Sequence, residues 1–333
     1  MTRTYLQSLQ QGLGRIMEAD PAVHVIGEDI VDPYGGAFKV TKGLSTSYPD
    51  RVWSTPISEG SIVGLSAGMA CRGVPVIVEI MFGDFVTLCA DQVVNHISKF
   101  QAMYGAGLEM PLVIRAPMGG GRGYGPTHSQ SLERLFFGLP HLQIVAPCQF
   151  HDPGKELERA LATKKPTLFI EHKLLYPADV GEASSNLSIS PPTDASIGAA
   201  TMVRNFSGTT PDITIVAYGG AALLVQTVLE RMVAEEVKVA ACFPIDLQLL
   251  DMDRVLEECR ASRRVLVVEE GWRSFGWGSE VVAVLQEALW HELEAPVRRV
   301  GAAPTVIPAA REMEKAMLPS VESIEQALIE TLS

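Results

Sequence analysis

Ser54-Thr55-Pro56-Ile57-Ser58-Glu59-Gly60 follows a strand-like Arg51-Val52-Trp53 and precedes Ile62, Val63, Leu65, Met69 and Ala70, which recur at helical spacing. A strand that stops at a proline and passes within a few residues into an apolar helix is the corner of a βα unit. Ser58 is placed to N-cap that helix, so Glu59 falls in its first turn, where the positive end of the helix dipole favours a carboxylate. Two readings of Glu59 stay open at this point: an ordinary first-turn acid, or a catalytic carboxylate at a strand-to-helix corner.

The same alternation runs outward in both directions. Residues 2–17 have amphipathic helix spacing, and Val23-His24-Val25-Ile26-Gly27 is a short strand that ends at Glu28-Asp29, an acidic pair placed where chemistry is to be sought. Residues 32–50 read as loop with a short helix around Val40 to Leu44. A strand at 74–80 is followed by Phe85, Leu88, Val93, Val94 and Ile97, whose spacing predicts a helix over 85–103. The strand Leu112-Val113-Ile114-Arg115 empties into a loop from Pro117 to Ser131 that holds five glycines and His128. A helix at 130–138, strand 142–146, helix 151–162 and strand 167–171 follow.

Buried strands alternating with helices predict an α/β protein whose mostly parallel sheet is covered on both faces. Residues 179–210 lose periodicity and gain Ser, Pro, Thr and Asn. Strands at 213–217, 237–241, 264–269 and 297–300 and helices at 221–235, 251–259, 278–291 and 321–332 then form a second α/β unit. The expected organisation is two doubly wound domains, 1–185 and 206–333, joined by a linker at 186–205.

With 333 residues, 47% hydrophobic and 20% charged, the chain has the composition of a globular protein with a large core. A net charge of −12 opposes binding to nucleic-acid phosphates or to an anionic membrane surface. The longest apolar runs are short and interrupted by glycine, so no membrane span is expected. Five scattered cysteines without a Cys-x-x-Cys pair argue against a disulfide framework or a zinc site, and point to the reducing cytoplasm.

The glycine-rich loop lacks both Gly-x-Gly-x-x-Gly and a Gly-Lys-Ser/Thr ending, so a nucleotide fingerprint is absent. Its use is to deliver His128 to the carboxyl end of a parallel strand, where open α/β sheets place their ligands. His128 is the acid/base candidate of the chain, and Arg115, Arg122 and Gln130 share its connection. By itself Phe85 reads first as core packing; it also begins the helix after the next strand, a place beside the candidate residues. No Gly-x-Ser-x-Gly elbow and no His-x-x-x-His pair occurs.

Several of these stretches together resemble a known family. Thr55-Pro56-Ile57-Ser58-Glu59, the strand 74–80 running into Phe85 and Asp91-Gln92, the loop ending His128-Ser129-Gln130-Ser131, and Val265 to Gly271 with Phe275-Gly276 resemble the β subunit of thiamine-diphosphate-dependent 2-oxo acid dehydrogenases. This is the E1 component, of the transketolase-like superfamily. The resemblance implies a pyrimidine-binding domain followed by a transketolase C-terminal-like domain. It implies that Glu59 hydrogen-bonds N1′ of the cofactor's aminopyrimidine and favours the imino tautomer that removes the C2 proton. Phe85 would stack on that ring, Ile57 would pack near it, and His128 would sit above C2 and handle the substrate-derived oxygen.

The family's Gly-Asp-Gly motif, which holds the diphosphate and its Mg²⁺, does not occur here. The resemblance therefore implies a β subunit active only with an α subunit, in a heterotetramer of two α and two β chains with the cofactor across their interface. Some members also hold K⁺ through main-chain carbonyls near the positions of Leu112, Val113, Ala160, Thr163 and Lys165; Thr163 and Lys165 replace the usual acidic and amide side chains. Gly138 stands where dehydrogenase β subunits commonly carry a second histidine. The implied activity is decarboxylation of a 2-oxo acid and transfer of the acyl unit to the lipoyl group of an acyltransferase. The alternatives are a split transketolase-type subunit moving a ketol or aldehyde unit from a ketose, and a non-catalytic scaffold.

Overall fold

Short β-branched runs that leave no polar edge for solvent make interior strands of a parallel sheet, and the central strands of both sheets are of this kind. The computed structural model describes residues 3–105, 107–191, 200–208, 210–248 and 252–333. Its contacts group into two units, one of Met1–Met118, Leu135–Val145 and Asp152–Val180, the other of Gly119–Arg134, Ala146–His151 and Gly181–Ser333. No helix among the described residues is long and apolar enough to cross a membrane.

The first unit opens with α1 (Tyr5–Ala19), started by a capping box between Thr4 and Gln7, and further along it holds the short α2 (Leu44–Ser47) and α5 (Pro153–Ala162). Six parallel strands follow: β1 (His24–Gly27), β2 (Val52–Ser54), β3 (Val76–Glu79), β4 (Leu112–Met118), β5 (Gln143–Val145) and β6 (Thr167–His172). They lie in the order β2-β1-β3-β4-β6-β5. The chain steps from β1 to one side and then, after α3 (Glu59–Cys71), crosses to the other, so the order reverses between β1 and β3. Open α/β sheets bind ligands outside the carboxyl ends of the strands at such a switch point.

One expected helix is three pieces. In place of a single helix over 85–103 there is a 3₁₀ segment (Gly83–Cys89), a π-helical segment (Gln92–Ile97) and α4 (Ser98–Tyr104). Each change of winding rotates the apolar face, so Val93 and Ile97 stay buried while Leu88 is left 61% exposed.

The second unit holds β7 (Ser188–Ser190), β8 (Thr201–Arg204), β9 (Ile213–Ala217), β10 (Val239–Phe243), β11 (Val265–Trp272) and β12 (Arg298–Ala302), in the order β12-β11-β9-β10-β8-β7. The four from β12 to β10 are parallel; β8 runs antiparallel to β10, and β7 to β8. Helices α6 (Ala221–Ala234), α7 (Met252–Ser262), α8 (Trp277–Leu289), α9 (Arg311–Met317) and α10 (Val321–Leu332) complete it. Val225 and Leu229 of α6 pack with Ile215, Ala217, Ile324 and Leu328 in its core.

Both β7 and β8 lie in the stretch expected to be a linker. They escape a periodicity reading because β7 is an edge strand with an exposed face and β8 is a few residues long. Helix α9 carries no strong apolar stripe and was likewise not expected. The helix expected over 130–138 is a single 3₁₀ turn, Glu133–Phe136. Thr2, residues 192–199 of the expected linker and Asp251 at the head of an expected helix lie outside the described residues.

The apolar centre of the first sheet contains one ionic cluster. Arg115 on β4 is wholly buried; its Nε and Nη2 donate to the two carboxylate oxygens of Glu171 at 2.6 and 2.8 Å, and its Nη1 to Glu79 at 2.5 Å. Tyr176 donates its hydroxyl to Glu171 at 2.8 Å. Burial raises the Glu79 carboxyl above its ordinary range, against the pull of Arg115. Two buried carboxylates share one cation, and its removal leaves both unpaired.

In the second unit Glu269 on β11 accepts the Gly278 N–H at 3.0 Å, near the start of α8. It lies beside Glu133, whose carboxylate takes the Tyr218 hydroxyl. Burial pushes the Glu269 carboxyl up to about 8; the Glu133 charge adds to the rise, while the amides of Gly278 and Trp277 and the Arg299 cation oppose it.

Two outcomes are expected. Arg115→Met destabilises the protein by about 3–5 kcal/mol in denaturant unfolding, because the desolvated carboxylates remain; a loss near zero would show that the cluster contributes nothing net. Glu269 has a folded pKa raised from the ordinary 4.5, so its contribution is complete below pH about 4.5 and is lost as pH rises through about 8. The Tm difference between Glu269→Gln and the wild type therefore grows in favour of the variant from pH 5 to pH 9, by roughly 2–4 °C per kcal/mol.

Candidate active site

The corner at Glu59 is formed by local bonds. After β2, Thr55 donates its N–H to the Gly27 carbonyl at 3.0 Å, which ties the exit of β2 to the end of β1. Ile57 projects from the corner, 78% exposed. Ser58 occupies the N-cap position, as expected, but its hydroxyl bonds Ser61 Oγ at 2.8 Å instead of a backbone amide of the first turn. Its own N–H goes to Glu28, the residue after β1.

Glu59 and Glu28 are thus neighbours at the carboxyl ends of β2 and β1, and both are buried. Burial raises the Glu28 carboxyl, and the charges of Glu59 and Asp29 raise it further. Glu28 Oε1 has no hydrogen-bond partner among the described residues. Two desolvated carboxyls with an unfilled acceptor form a receptor for a group that brings N–H donors.

The turn that carries Phe85 packs on the first turn of α3, where a Cβ added at Gly60 would lie 3.3 Å from the Leu88 carbonyl. Phe85 is half-buried and meets Phe82 edge-on, with ring centroids 6.1 Å apart. Phe82 meets Phe38 at 5.4 Å, and Phe38 meets Tyr176 at 5.2 Å. This row of rings links Phe85 to the Arg115 cluster through the Tyr176 hydroxyl. Cys89 ends the same turn, and burial, with the Glu59 charge, pushes its thiol up to about 12, which leaves it without nucleophilic character.

His128 belongs to the second unit. Its Nδ1 lies 3.0 Å from Thr127 Oγ1, and its N–H reaches the Gly125 carbonyl at 3.3 Å. The amides that would make the glycine-rich loop an anion nest are taken by carboxylates: Gly120 donates to Glu270 at 2.8 Å, and Gly121 and Gly123 to Glu314 at 3.0 and 2.7 Å. Arg115, which shares the loop's strand, is locked in the core, and Arg122 lies 5.8 Å over Tyr124.

The structure therefore groups Ile57, Glu59 and Phe85 with Glu28 in one unit and puts His128 in the other. Glu28 carried a signal in the sequence, an acid directly after a strand. Glu270 and Glu314 carried none, since nothing local connects them with a loop far away in the chain.

At the positions implied for K⁺, several groups are engaged within the protein. Leu112 and Val113 are buried in β4. The Ala160 carbonyl accepts the Thr163 hydroxyl at 2.8 Å, and the Lys165 carbonyl accepts the Thr167 hydroxyl at 3.2 Å. Among the described residues no three His, Cys, Asp or Glu side chains gather as a metal site. Cys148 Sγ stands 3.3 Å from His151 Nδ1, but that nitrogen also accepts the Cys148 N–H and burial pushes the thiol up to about 12, so the pair is a turn and not a nucleophile with its base.

Comparison with known proteins adds an independent finding. Residues 2–179 match the model of the transketolase pyrimidine binding domain, and residues 205–324 that of the transketolase C-terminal domain. The chain is 33% identical to the acetoin:2,6-dichlorophenolindophenol oxidoreductase subunit beta of Cupriavidus necator, over 98% of this chain and 96% of that one. It is 35% identical to the 3-methyl-2-oxobutanoate dehydrogenase subunit beta of Mycobacterium tuberculosis, over 96% and 89%. The 2-oxoisovalerate dehydrogenase subunit beta of Bacillus subtilis is 32% identical over 98% of both chains. Among solved structures, a split-gene transketolase described as an inactive beta4 tetramer shares the fold, with a TM-score of 0.75 and 19% identity over 99% of this chain and 98% of that one.

Proposed function

Because the chain belongs to the transketolase family, in its branch of 2-oxo acid dehydrogenase β subunits, we propose that it is the β subunit of a thiamine-diphosphate-dependent enzyme that decarboxylates a 2-oxo acid and passes on the acyl unit. The observation that carries the reading is the pair of buried carboxyls Glu28 and Glu59 at the switch point of the first sheet, with an acceptor left unfilled. An aminopyrimidine brings N–H donors and a ring nitrogen, and fits that donor-poor corner. Bound there, thiamine diphosphate supplies the carbon nucleophile and the electron sink for decarboxylation.

The chain's own residues have the remaining tasks. Glu59 holds a proton against N1′ of the pyrimidine, and the dry setting strengthens that contact relative to one in water. Phe85 offers a ring face or edge to the pyrimidine, already oriented by Phe82. Ile57 extends apolar surface over it and helps exclude water. His128 is assigned the oxygen of the 2-oxo acid, to stabilise or protonate it.

The α subunit holds the diphosphate and Mg²⁺, since these 333 residues carry no Gly-Asp-Gly. The working enzyme is a heterotetramer with two α chains, and its acyl unit goes to a lipoyl acyltransferase. The five cysteines are all unpaired thiols, which suits the reducing cytoplasm. The K⁺ site near Leu112, Val113, Ala160, Thr163 and Lys165 forms no part of this proposal. Hydroxyls already occupy two of its carbonyls, and Lys165 brings a like charge.

Titration of thiamine diphosphate against the chain alone, and against the chain with its α subunit, tests the division of labour. Tight Mg²⁺-dependent binding is expected only with both, and tight binding by this chain alone refutes it. In the reconstituted complex, with a 2-oxo acid and an artificial electron acceptor, Glu59→Gln lowers kcat by about 10²–10⁴-fold. Wild-type turnover in that variant would sink the role of Glu59, and activity with sugar phosphates alone would favour ketol transfer.

A further inference from the structure

We propose that Glu314 is a positioning residue for His128, acting through the backbone of the glycine-rich loop; the inference rests on the reading of His128 as the group that handles the substrate oxygen. The carboxylate of Glu314 is 1% exposed and enters the loop from α9, accepting the Gly121 N–H with Oε1 and the Gly123 N–H with Oε2. A buried carboxylate without such donors would be costly, and loop amides without an acceptor would be free to turn elsewhere. Each therefore fixes the other with charge-assisted bonds.

The fit is steric as well as polar. Gly123 has φ +72°, and a Cβ there would stand 2.9 Å from Arg311 Cγ, at the first residue of α9. The loop is thus moulded on α9 at close range, in a conformation that L side chains resist. From Gly123 the chain reaches Gly125 within two residues, and the Gly125 carbonyl accepts the His128 N–H at 3.3 Å. The other limb is closed by Glu270, which takes the Gly120 N–H and the Ser131 hydroxyl at 2.8 and 2.9 Å, and by the bond from Gly119 N–H to the Gln130 carbonyl at 3.2 Å. His128 lies between these two anchorages, so the place of its imidazole is set by acids that lie nowhere near it in sequence.

Displacing a reacting group by about 1 Å costs on the order of 10²-fold in rate. A neutral amide at position 314 can accept from only one of the two N–H groups and turns its own NH₂ toward the other. Glu314→Gln in the complex with the α subunit is therefore expected to lower kcat by about 10–10²-fold, with thiamine diphosphate affinity kept within about twofold, since Ile57, Glu59 and Phe85 are elements of the other unit. In the full chain, trypsin is expected to cut after Arg122 several-fold faster in the variant, because the loop opens more often. Glu312→Gln, an exposed acid on the same helix that pairs with Lys315, should change none of these.

Cleavage and kcat both at wild-type values in Glu314→Gln would overturn the inference, and so would faster cleavage with full kcat. If Glu314→Gln does not assemble, Gly123→Ala tests the same contact from the loop side, with the same expected pattern. His128→Ala separates the two readings. A fully active His128→Ala overturns the catalytic role of His128 and this inference with it, whereas an inactive His128→Ala beside a wild-type-like Glu314→Gln overturns this inference alone.

Discussion

A single buried guanidinium governs the first sheet. Arg115 sits on β4 opposite Glu79, the last residue of β3, and it must satisfy Glu79 and Glu171 together because all three are buried. That demand spreads outward. The Glu79 carboxylate closes against Gly36, where an added Cβ would come within 2.5 Å of Oε1, so the loop after β1 has to be glycine there. Glu171 holds Tyr176, and Tyr176 begins the row of rings that ends at Phe85. A cation in the core thereby orients an aromatic face at the edge of the proposed cofactor site.

The site itself follows a different logic, in which repulsion is kept. Glu28 and Glu59 bring two carboxyls into the same dry corner, and burial together with their mutual charge raises the Glu28 carboxyl. Such an arrangement costs stability, and a bound group that supplied donors would relieve it. The Arg115 cluster is complete within the protein; the Glu28–Glu59 corner is not. That difference separates a structural use of buried acids from the binding use proposed for Glu28 and Glu59.

The second unit treats its acids in a third way. Glu270 and Glu314 fill the amides of the glycine-rich loop, so a stretch that looks like an anion-binding loop already holds its anions. Flexibility in the sequence becomes a defined conformation through contacts with α9 and β11. The histidine that the loop carries is then presented by the C-terminal unit, although it follows a strand of the first.

Much of the fold was legible along the chain, because buried strands and the helices between them leave periodic apolar patterns that depend only on near neighbours. The corner at Thr55 to Glu59, the acid after β1 and the parallel strands of both sheets are of this kind, and several of them also carry the family resemblance. Less legible was whatever depends on winding or on the absence of a pattern: the 3₁₀ and π segments after β3, the edge strands β7 and β8, and the short α9. The partners of Arg115 and of the loop amides were not legible at all. Arg115 looked like part of a functional connection, and only the packing of three strands made it a core cation. Nothing near Glu314 in the chain points to its bonds with the loop amides. Its role was decided by tertiary structure, since a hydrogen bond between residues so far apart leaves no trace in local periodicity. The sequence by itself determined the βα alternation and where the acids stand along it; the tertiary structure decided which acids meet a cation or an amide and which keep an open acceptor, because desolvation and pairing exist only once the chain is packed.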